Sequence, residues 1–200
     1  LLKRRKFIGK SLVIASHNAG KINEITALLS PFGIEVLNAA VLNLPIPDET
    51  GSTYLENAII KAQACTMATN LPCIADDSGV EVAALGNAPG VDTAPYTIAH
   101  GGREQVFSLW EKNPAIKENP AAQFVCVQVL AWPDGHLECF ESAITGHLSF
   151  PPRGAGGHGY DPVFVPEGFR QTMAEMPLEE KNLCSHRFLA FQKLIKECFV

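Results

Sequence analysis

"SLVIASHNAGKINEITALLS", residues 11–30, packs a strand, a tight turn and a helix into one short stretch. Ser11–Ser16 is a brief apolar run with strand character. After it, Ile22, Ile25, Leu28 and Leu29 recur at helical spacing until Ser30-Pro31 and Gly33 stop the helix. The pattern then repeats. "IEVL" (34–37) is a second strand, and Thr53 with Glu56 forms a capping box opening a helix with Ala58, Ala62 and Cys65 on one face. "LPCIADD" (71–77) is a third strand, followed by the glycine- and proline-rich "GNAPGVDTAP" (86–95). Further on, "AQFVCVQVLAW" (122–132), turned by "PDG", pairs with "HLECFESAITG" (136–146) as a hairpin. "DPVFVP" (161–166) is a last strand. From Ser185 a final helix points Phe188, Phe191, Ile195 and Phe199 inward. Strands alternating with helices and then an antiparallel hairpin define an α/β fold with a mixed sheet.

The chain has 200 residues, 46% of them hydrophobic and 18% charged, which suits one globular domain with a substantial core. Residues 1–10 form a basic leader expected to be loosely ordered, and residues 11–200 form the domain. A net charge of −5 argues against a broad nucleic-acid footprint but leaves room for a small phosphate ligand held by local cations. The six cysteines show no CxxC pair or zinc-finger spacing, as expected of reduced thiols in a cytoplasmic protein. No apolar run reaches the roughly 18 residues of a membrane helix.

Four segments could bear chemistry. "SHNAGK" (16–21) stands at a strand-to-helix junction, where Ser16, Asn18, the backbone at Gly20 and Lys21 could face an anion. It also fits a capped turn with an exposed lysine, and it is not a Walker A loop. "IADDSG" (74–79) places Asp76 beside Asp77, and hard cations such as Mg²⁺ take one or two carboxylates. Strand side chains alternate faces, so both aspartates share a site only where the chain turns, and Ser78-Gly79 is the expected turn. "PDETG" (47–51) offers Asp48 or Glu49 as a third carboxylate. "GGHGYDP" (156–162) permits close backbone approach and adds the rings of His158 and Tyr160. "EEKNLCSHR" (179–187) puts Lys181 before a Ser185 cap, with His186 and Arg187 in the first helical turn. Each segment alone also fits ordinary surface structure. Together they provide the cations, carboxylates and rings that a nucleoside triphosphate and its metal require.

The chain resembles the inosine triphosphate pyrophosphatase family. The resemblance rests on "SHNAGKINEI", "ETGSTYLENAIIKA", "ADDSGVEVAALGNAPGVDTAPY", "GGHGYDPVFVP" and "TMAEMPLEEKNLCSHRFLA", in the family's order. It implies a homodimer of elongated, two-lobed subunits, each with a central mixed, twisted sheet flanked by helices and a nucleotide cleft between the lobes. The implied reaction is Mg²⁺-dependent hydrolysis of ITP, dITP and XTP, non-standard purine nucleotides, to monophosphate and pyrophosphate. By the same resemblance Ser16, His17, Asn18, Ala19, Gly20 and Lys21 hold the triphosphate, assisted by Lys61. Glu49 and Asp77 hold the metal, Asp77 accepts the water's proton, and Asp76 supports it. Ser78, His158, Gly159, Tyr160, Asp161, Lys181, His186 and Arg187 contact the nucleotide, the last two nearest the base.

Two positions depart from the family pattern. His17 replaces a glycine and adds bulk beside the phosphate turn, and His158 replaces a phenylalanine that stacks on the base. A rival enzyme class is the Maf-type pyrophosphatases, which act on pyrimidine or modified nucleotides, and "EEKNLCSHR" argues against it. A non-catalytic nucleotide-binding module is the rival from another class, which Lys21, Asp76 and Asp77 disfavour.

Overall fold

The computed structural model describes residues 4–199. In chain order the described residues form β1 (Ser11–Ile14), α1 (Ala19–Leu29), β2 (Glu35–Asn38), α2 (Tyr54–Thr69) and β3 (Cys73–Val82). Then come α3 (Thr93–Ala99), α4 (Arg103–Lys112), α5 (Pro114–Glu118), β4 (Ala121–Ala131) and β5 (Leu137–Leu148). The chain ends with β6 (Phe164–Pro166), α6 (Leu178–Leu183) and α7 (His186–Cys198). The six strands form one sheet in the order β2-β1-β3-β4-β5-β6. β1 runs parallel to β2 and β3, whereas β5 and β6 are antiparallel, so the sheet is mixed. β4 and β5 are joined by the expected turn, in which the Trp132 amide donates to the His136 carbonyl at 3.0 Å.

Local chemistry explains the boundaries. The Asn18 side chain accepts from the Gly20 and Lys21 amides and opens α1, and Gly33 ends the following 3₁₀ turn at φ 62°. Thr53 and Glu56 form the complete reciprocal capping box of α2. Asn70, at φ 54°, closes that helix in the left-handed region, where asparagine is tolerated.

The chain divides into two compact units. The first comprises Leu1–Asp77, Val127–Glu141 and Ala190–Val200, and the second Ser78–Cys126 and Ser142–Leu189. In the first unit, strand alternation sorts side chains to two helix-covered faces. Leu12 and Ile14 of β1 and Ile74 of β3 pack with Ile25 and Leu29 of α1 and Phe191 and Leu194 of α7. Val13, Ala15, Cys73 and Ala75 pack instead with Ala58, Ala62 and Cys65 of α2. The second unit has its own core around Val82, Val106, Trp110, Phe124, Tyr160 and Phe164.

Of the basic leader expected over residues 1–10, residues 1–3 lie outside the described residues, and Arg4, Arg5 and Phe7 make specific contacts. The Phe7 amide donates to the Cys198 carbonyl at 2.7 Å, and its ring stacks on Phe199 at 4.9 Å. Arg4 and Arg5 lie over Phe140 and Trp132 at 4.9 and 4.8 Å. Their common anchor is the buried Glu138, which receives Arg4 Nη1 at 2.6 Å, the Arg5 amide at 2.8 Å and His136 Nε2 at 2.9 Å. Burial raises the Glu138 carboxyl, but the Arg5 amide, Arg4 and His136 outweigh it and leave it below its ordinary value. A depressed folded value contributes stability that is full above the unfolded value and disappears as pH falls through the folded one. Glu138→Gln is therefore expected to cost about 1–3 kcal/mol near neutral pH. Urea unfolding followed from pH 7 down to pH 3 should show that difference shrinking.

All six cysteines are free thiols. Burial, followed by the nearby Glu138 carboxylate, pushes the Cys198 thiol up to about 11. Among the described residues no helix is long and apolar enough to cross a membrane.

Candidate active site

The first unit places its charges where its topology changes direction. β1 lies between β2 and β3, so the chain leaves β1 to one side through α1 and later reaches β3 on the other. In open α/β sheets such a switch point leaves a crevice beyond the strands' carboxyl ends, where ligands bind. Ser16–Lys21 follow β1 directly. Ile14 is in register with Ile74, two residues before the aspartates.

Asp76 and Asp77 diverge. β3 continues through Ser78 and Gly79, so the turn expected there does not form. Alternation carries Asp76 to the face of Ile74 and α1, and Asp77 to the face of Ala75 and α2. Each aspartate meets a lysine from the helix on its own side. Lys21 Nζ lies 2.7 Å from Asp76 Oδ2, and Lys61 Nζ lies 2.8 Å from Asp77 Oδ1. Lys61 also reaches Glu49 Oε1 at 3.2 Å. The adjacent carboxylates thus bring two opposing lysines into one electrostatic system.

That system holds three carboxylates (Glu49, Asp76, Asp77) against two ammonium groups (Lys21, Lys61), so it favours an added proton or cation. Burial works to lower Lys61, but Asp77, Asp76 and Glu49 outweigh it and hold its ammonium charge firmly. Burial raises the Asp77 carboxyl more than Lys61 and Lys21 lower it, and Glu49 adds to the rise. Asp77 Oδ2 is buried with no hydrogen-bond partner among the described residues, an expensive state for a carboxylate oxygen. A hard divalent cation suits it. Among the described residues no three His, Cys, Asp or Glu side chains form a metal cage. Two carboxylates completed by water and phosphate oxygens are the usual Mg²⁺ arrangement, and Glu49 with Asp77 fits it.

The turn over Ser16–Lys21 is internally satisfied. Ser16 Oγ accepts from the Asn18 amide at 3.2 Å, and Asn18 Oδ1 accepts from Gly20 and Lys21 at 2.9 and 3.2 Å. The Gly20 and Lys21 amides, expected to face an anion, are bonded to the Asn18 cap. Ala19 and Gly20 form the first turn of α1. His17 turns away from this arrangement and donates from Nε2 to the Leu44 carbonyl at 2.9 Å.

In the second unit Arg187 Nη2 donates to Ser78 Oγ at 3.3 Å. Ser185 Oγ accepts from the Phe188 amide at 3.4 Å, the cap expected for α7, and His186 is buried edge-on to Phe124 at 5.1 Å. Lys181 and Asp161 form a buried ion pair at 2.9 Å. Asp161 Oδ2 also accepts from the His158 amide at 2.6 Å. The glycine loop wraps closely around this carboxylate. Gly157, at φ 74°, leaves no space for a Cβ beside Asp161. His158 and Gly159 are exposed at the loop's tip.

Tyr160, expected to offer a ring to the nucleotide, lies at the base of the same loop. Its ring is buried, stacked on Trp110 at 5.1 Å and edge-on to Phe107 at 5.6 Å. Thr97 Oγ1 donates to the Thr93 carbonyl, so the Tyr160 hydroxyl donates to Thr97 Oγ1 at 2.7 Å. The ring anchors the loop. The sequence reading singled out neither Thr97 nor Asn57, a buried polar residue of α2 whose amide oxygen holds the Gly51 amide at 2.8 Å. A polar side chain beside the apolar Ala58–Ala62 stripe was the available signal.

A mixed sheet with lysine–carboxylate pairs at its switch point defines an α/β protein whose charges gather where such folds bind ligands. The comparisons narrow that class. The Ham1 family model matches residues 12–197, and the chain belongs to the Ham1 family. It is 50% identical to a dITP/XTP pyrophosphatase of Ruegeria pomeroyi, covering 98% of each chain. It is 47% identical to a dITP/XTP pyrophosphatase of Rhizobium meliloti, covering 97% of this chain and 98% of that one. Among solved structures, the Staphylococcus aureus Ham1 protein matches with a TM-score of 0.81 at 35% identity, covering 92% of this chain and 96% of that chain. A HAM1 protein from Coxiella burnetii matches with a TM-score of 0.82 at 34% identity, covering 94% and 98%. The resemblance read from the motifs is thus family membership.

Proposed function

We propose that the protein is a nucleoside triphosphate pyrophosphatase that hydrolyses dITP, XTP and ITP to the monophosphate and pyrophosphate, clearing these nucleotides from the pool. The observation that carries this reading is full-length identity of up to 50% with dITP/XTP pyrophosphatases. The lysine–carboxylate system, with its two aspartates buried, carries the charges such a reaction needs.

In this reading a water attacks the α-phosphorus in line, the new P–O bond forms, and the bond to the bridging oxygen breaks to release pyrophosphate. Asp77 accepts the proton of that water. Its Oδ2 carries no hydrogen bond among the described residues, and burial makes it more basic than an ordinary aspartate. Glu49 and Asp77 would hold a Mg²⁺ ion, which neutralises charge on the phosphate's non-bridging oxygens. Lys21 and Lys61 stabilise the departing pyrophosphate, with Asp76 aiming Lys21. Ser16–Lys21 form the triphosphate turn, held in shape by the Asn18 cap on the Gly20 and Lys21 amides.

Ser78, the His158–Asp161 loop, Lys181, His186 and Arg187 contact the nucleoside side of the substrate. Donors at His186 and Arg187 suit the 6-keto oxygen of hypoxanthine or xanthine, whereas adenine presents an amine. An unpaired buried donor costs about 1–3 kcal/mol, which favours the keto purines. We also place the protein in the cytoplasm as a homodimer; the free thiols support the compartment, and the family resemblance supports the dimer.

Product analysis tests the reaction type. dITP incubated with the protein and Mg²⁺ should give dIMP and pyrophosphate in equal amounts, with no orthophosphate. Release of orthophosphate and dIDP would contradict attack at the α-phosphorus.

A further inference from the structure

Glu49 lies in residues 44–51, a stretch without helix or strand. A carboxylate on such a stretch needs outside anchors to stay in one place. Lys61 is one, at 3.2 Å, and a single charged contact on a half-exposed side chain holds weakly. The firmer anchor lies two residues further on. The Gly51 amide donates to Asn57 Oδ1 at 2.8 Å, and Asn57 is only 3% exposed. Beyond it, Glu56 Oε2 accepts from the Ser52 amide, the Ser52 hydroxyl and the Thr53 amide at 2.7, 2.8 and 3.1 Å.

The approach to α2 is close enough to require glycine. A Cβ at position 51 would stand 2.6 Å from Glu56 Cβ and 2.7 Å from Asn57 Oδ1. Asn57 precedes Lys61 by four residues, so both project from the same side of α2. One anchor therefore fixes the backbone two residues past Glu49, and the other meets its carboxylate. Burying an amide side chain among alanines is costly without a specific partner, and Gly51 is that partner.

We infer that Asn57 is a positioning residue for Glu49: its grip on Gly51 sets where the Glu49 carboxylate stands relative to Asp77. The inference rests on the reading that Glu49 holds the divalent cation. Residues that orient a metal ligand typically cost 10–100-fold in metal affinity when removed, so an effect of about tenfold is expected here.

The test uses Mn²⁺ alone as probe, counting free Mn²⁺ by electron paramagnetic resonance in the nucleotide-free protein. The Mg²⁺ concentration for half-maximal pyrophosphate release is measured in parallel. Alanine is the best helix former, so Asn57→Ala should fold, and thermal unfolding checks that it does. Asn57→Ala should weaken Mn²⁺ binding and raise the Mg²⁺ requirement by about tenfold. Asn57→Asp, which keeps an acceptor oxygen for Gly51, should restore both. In a Glu49→Gln background, Asn57→Ala should add nothing, because the residue acts through Glu49. An equal loss in both backgrounds, or no loss in the parent, would overturn the inference. If Glu49→Gln alone leaves Mn²⁺ binding intact, the metal reading of Glu49 fails instead, and the inference falls with it.

Discussion

Asp77→Asn is expected to lower kcat for dITP by about 10²–10⁴-fold, the usual contribution of a positioned general base. The substitution keeps the shape of the side chain and an oxygen for Lys61 Nζ, now 2.8 Å from Asp77 Oδ1. The fold should survive. What disappears is the oxygen that lacks a hydrogen bond among the described residues and the negative charge that would share the cation with Glu49. Steady-state pyrophosphate release, with circular dichroism to confirm folding, checks the prediction. Wild-type turnover in a folded Asp77→Asn protein would remove Asp77 from its role. Asp76→Asn should cost less, because in the proposed reading Asp76 acts only through Lys21, whose Nζ stands 2.7 Å away.

The largest expected stability effect lies at Asp161. Asp161 and Lys181 are both buried and pair at 2.9 Å, and the same carboxylate holds the His158 amide. Asp161→Ala leaves a buried ammonium without its counter-charge and frees the glycine loop. Removing one partner of a buried pair costs about 3–5 kcal/mol. Trp110 packs on Tyr160 in the core beside that loop, so its fluorescence during urea unfolding reports the loss. An unchanged midpoint would show that Lys181 finds another partner. Turnover should fall together with stability, since Lys181 and the loop are both assigned to the nucleotide.

Much of the fold was legible because local and global signals agree. The β1–α1 junction, the Thr53–Glu56 capping box and the hairpin turn each satisfy their own backbone groups, so short sequence patterns betray them. The stretch of α3, α4 and α5 was not legible. These helices have 7, 10 and 5 residues, α3 contains Pro95, and α4 buries only Val106, Phe107 and Trp110. Helices that short depend on tertiary packing rather than propensity, which a sequence window does not display.

The candidate site divides in the same way. Residue types at Lys21, Asp76 and Asp77, and the family resemblance at Lys61, pointed to phosphate and metal chemistry, but the pairing did not show. Ser78-Gly79 has turn chemistry, yet strand pairing overrides it, and lysines waiting on both faces remove any need for the aspartates to converge. Tyr160 read as an available ring because its partners, Thr97 and Trp110, come from the stretch that showed no pattern.

We propose that this chain's switch-point charges serve hydrolysis of dITP, XTP and ITP at the α-phosphorus. The most direct measurement is kcat/KM for pyrophosphate release from dITP, XTP and ITP beside ATP, GTP and dTTP, with Mg²⁺ and with a chelator. Efficient turnover of dITP, XTP and ITP that the chelator abolishes, with ATP and dTTP near background, is the predicted result. Turnover confined to ATP or dTTP, or none with any nucleotide, would contradict it.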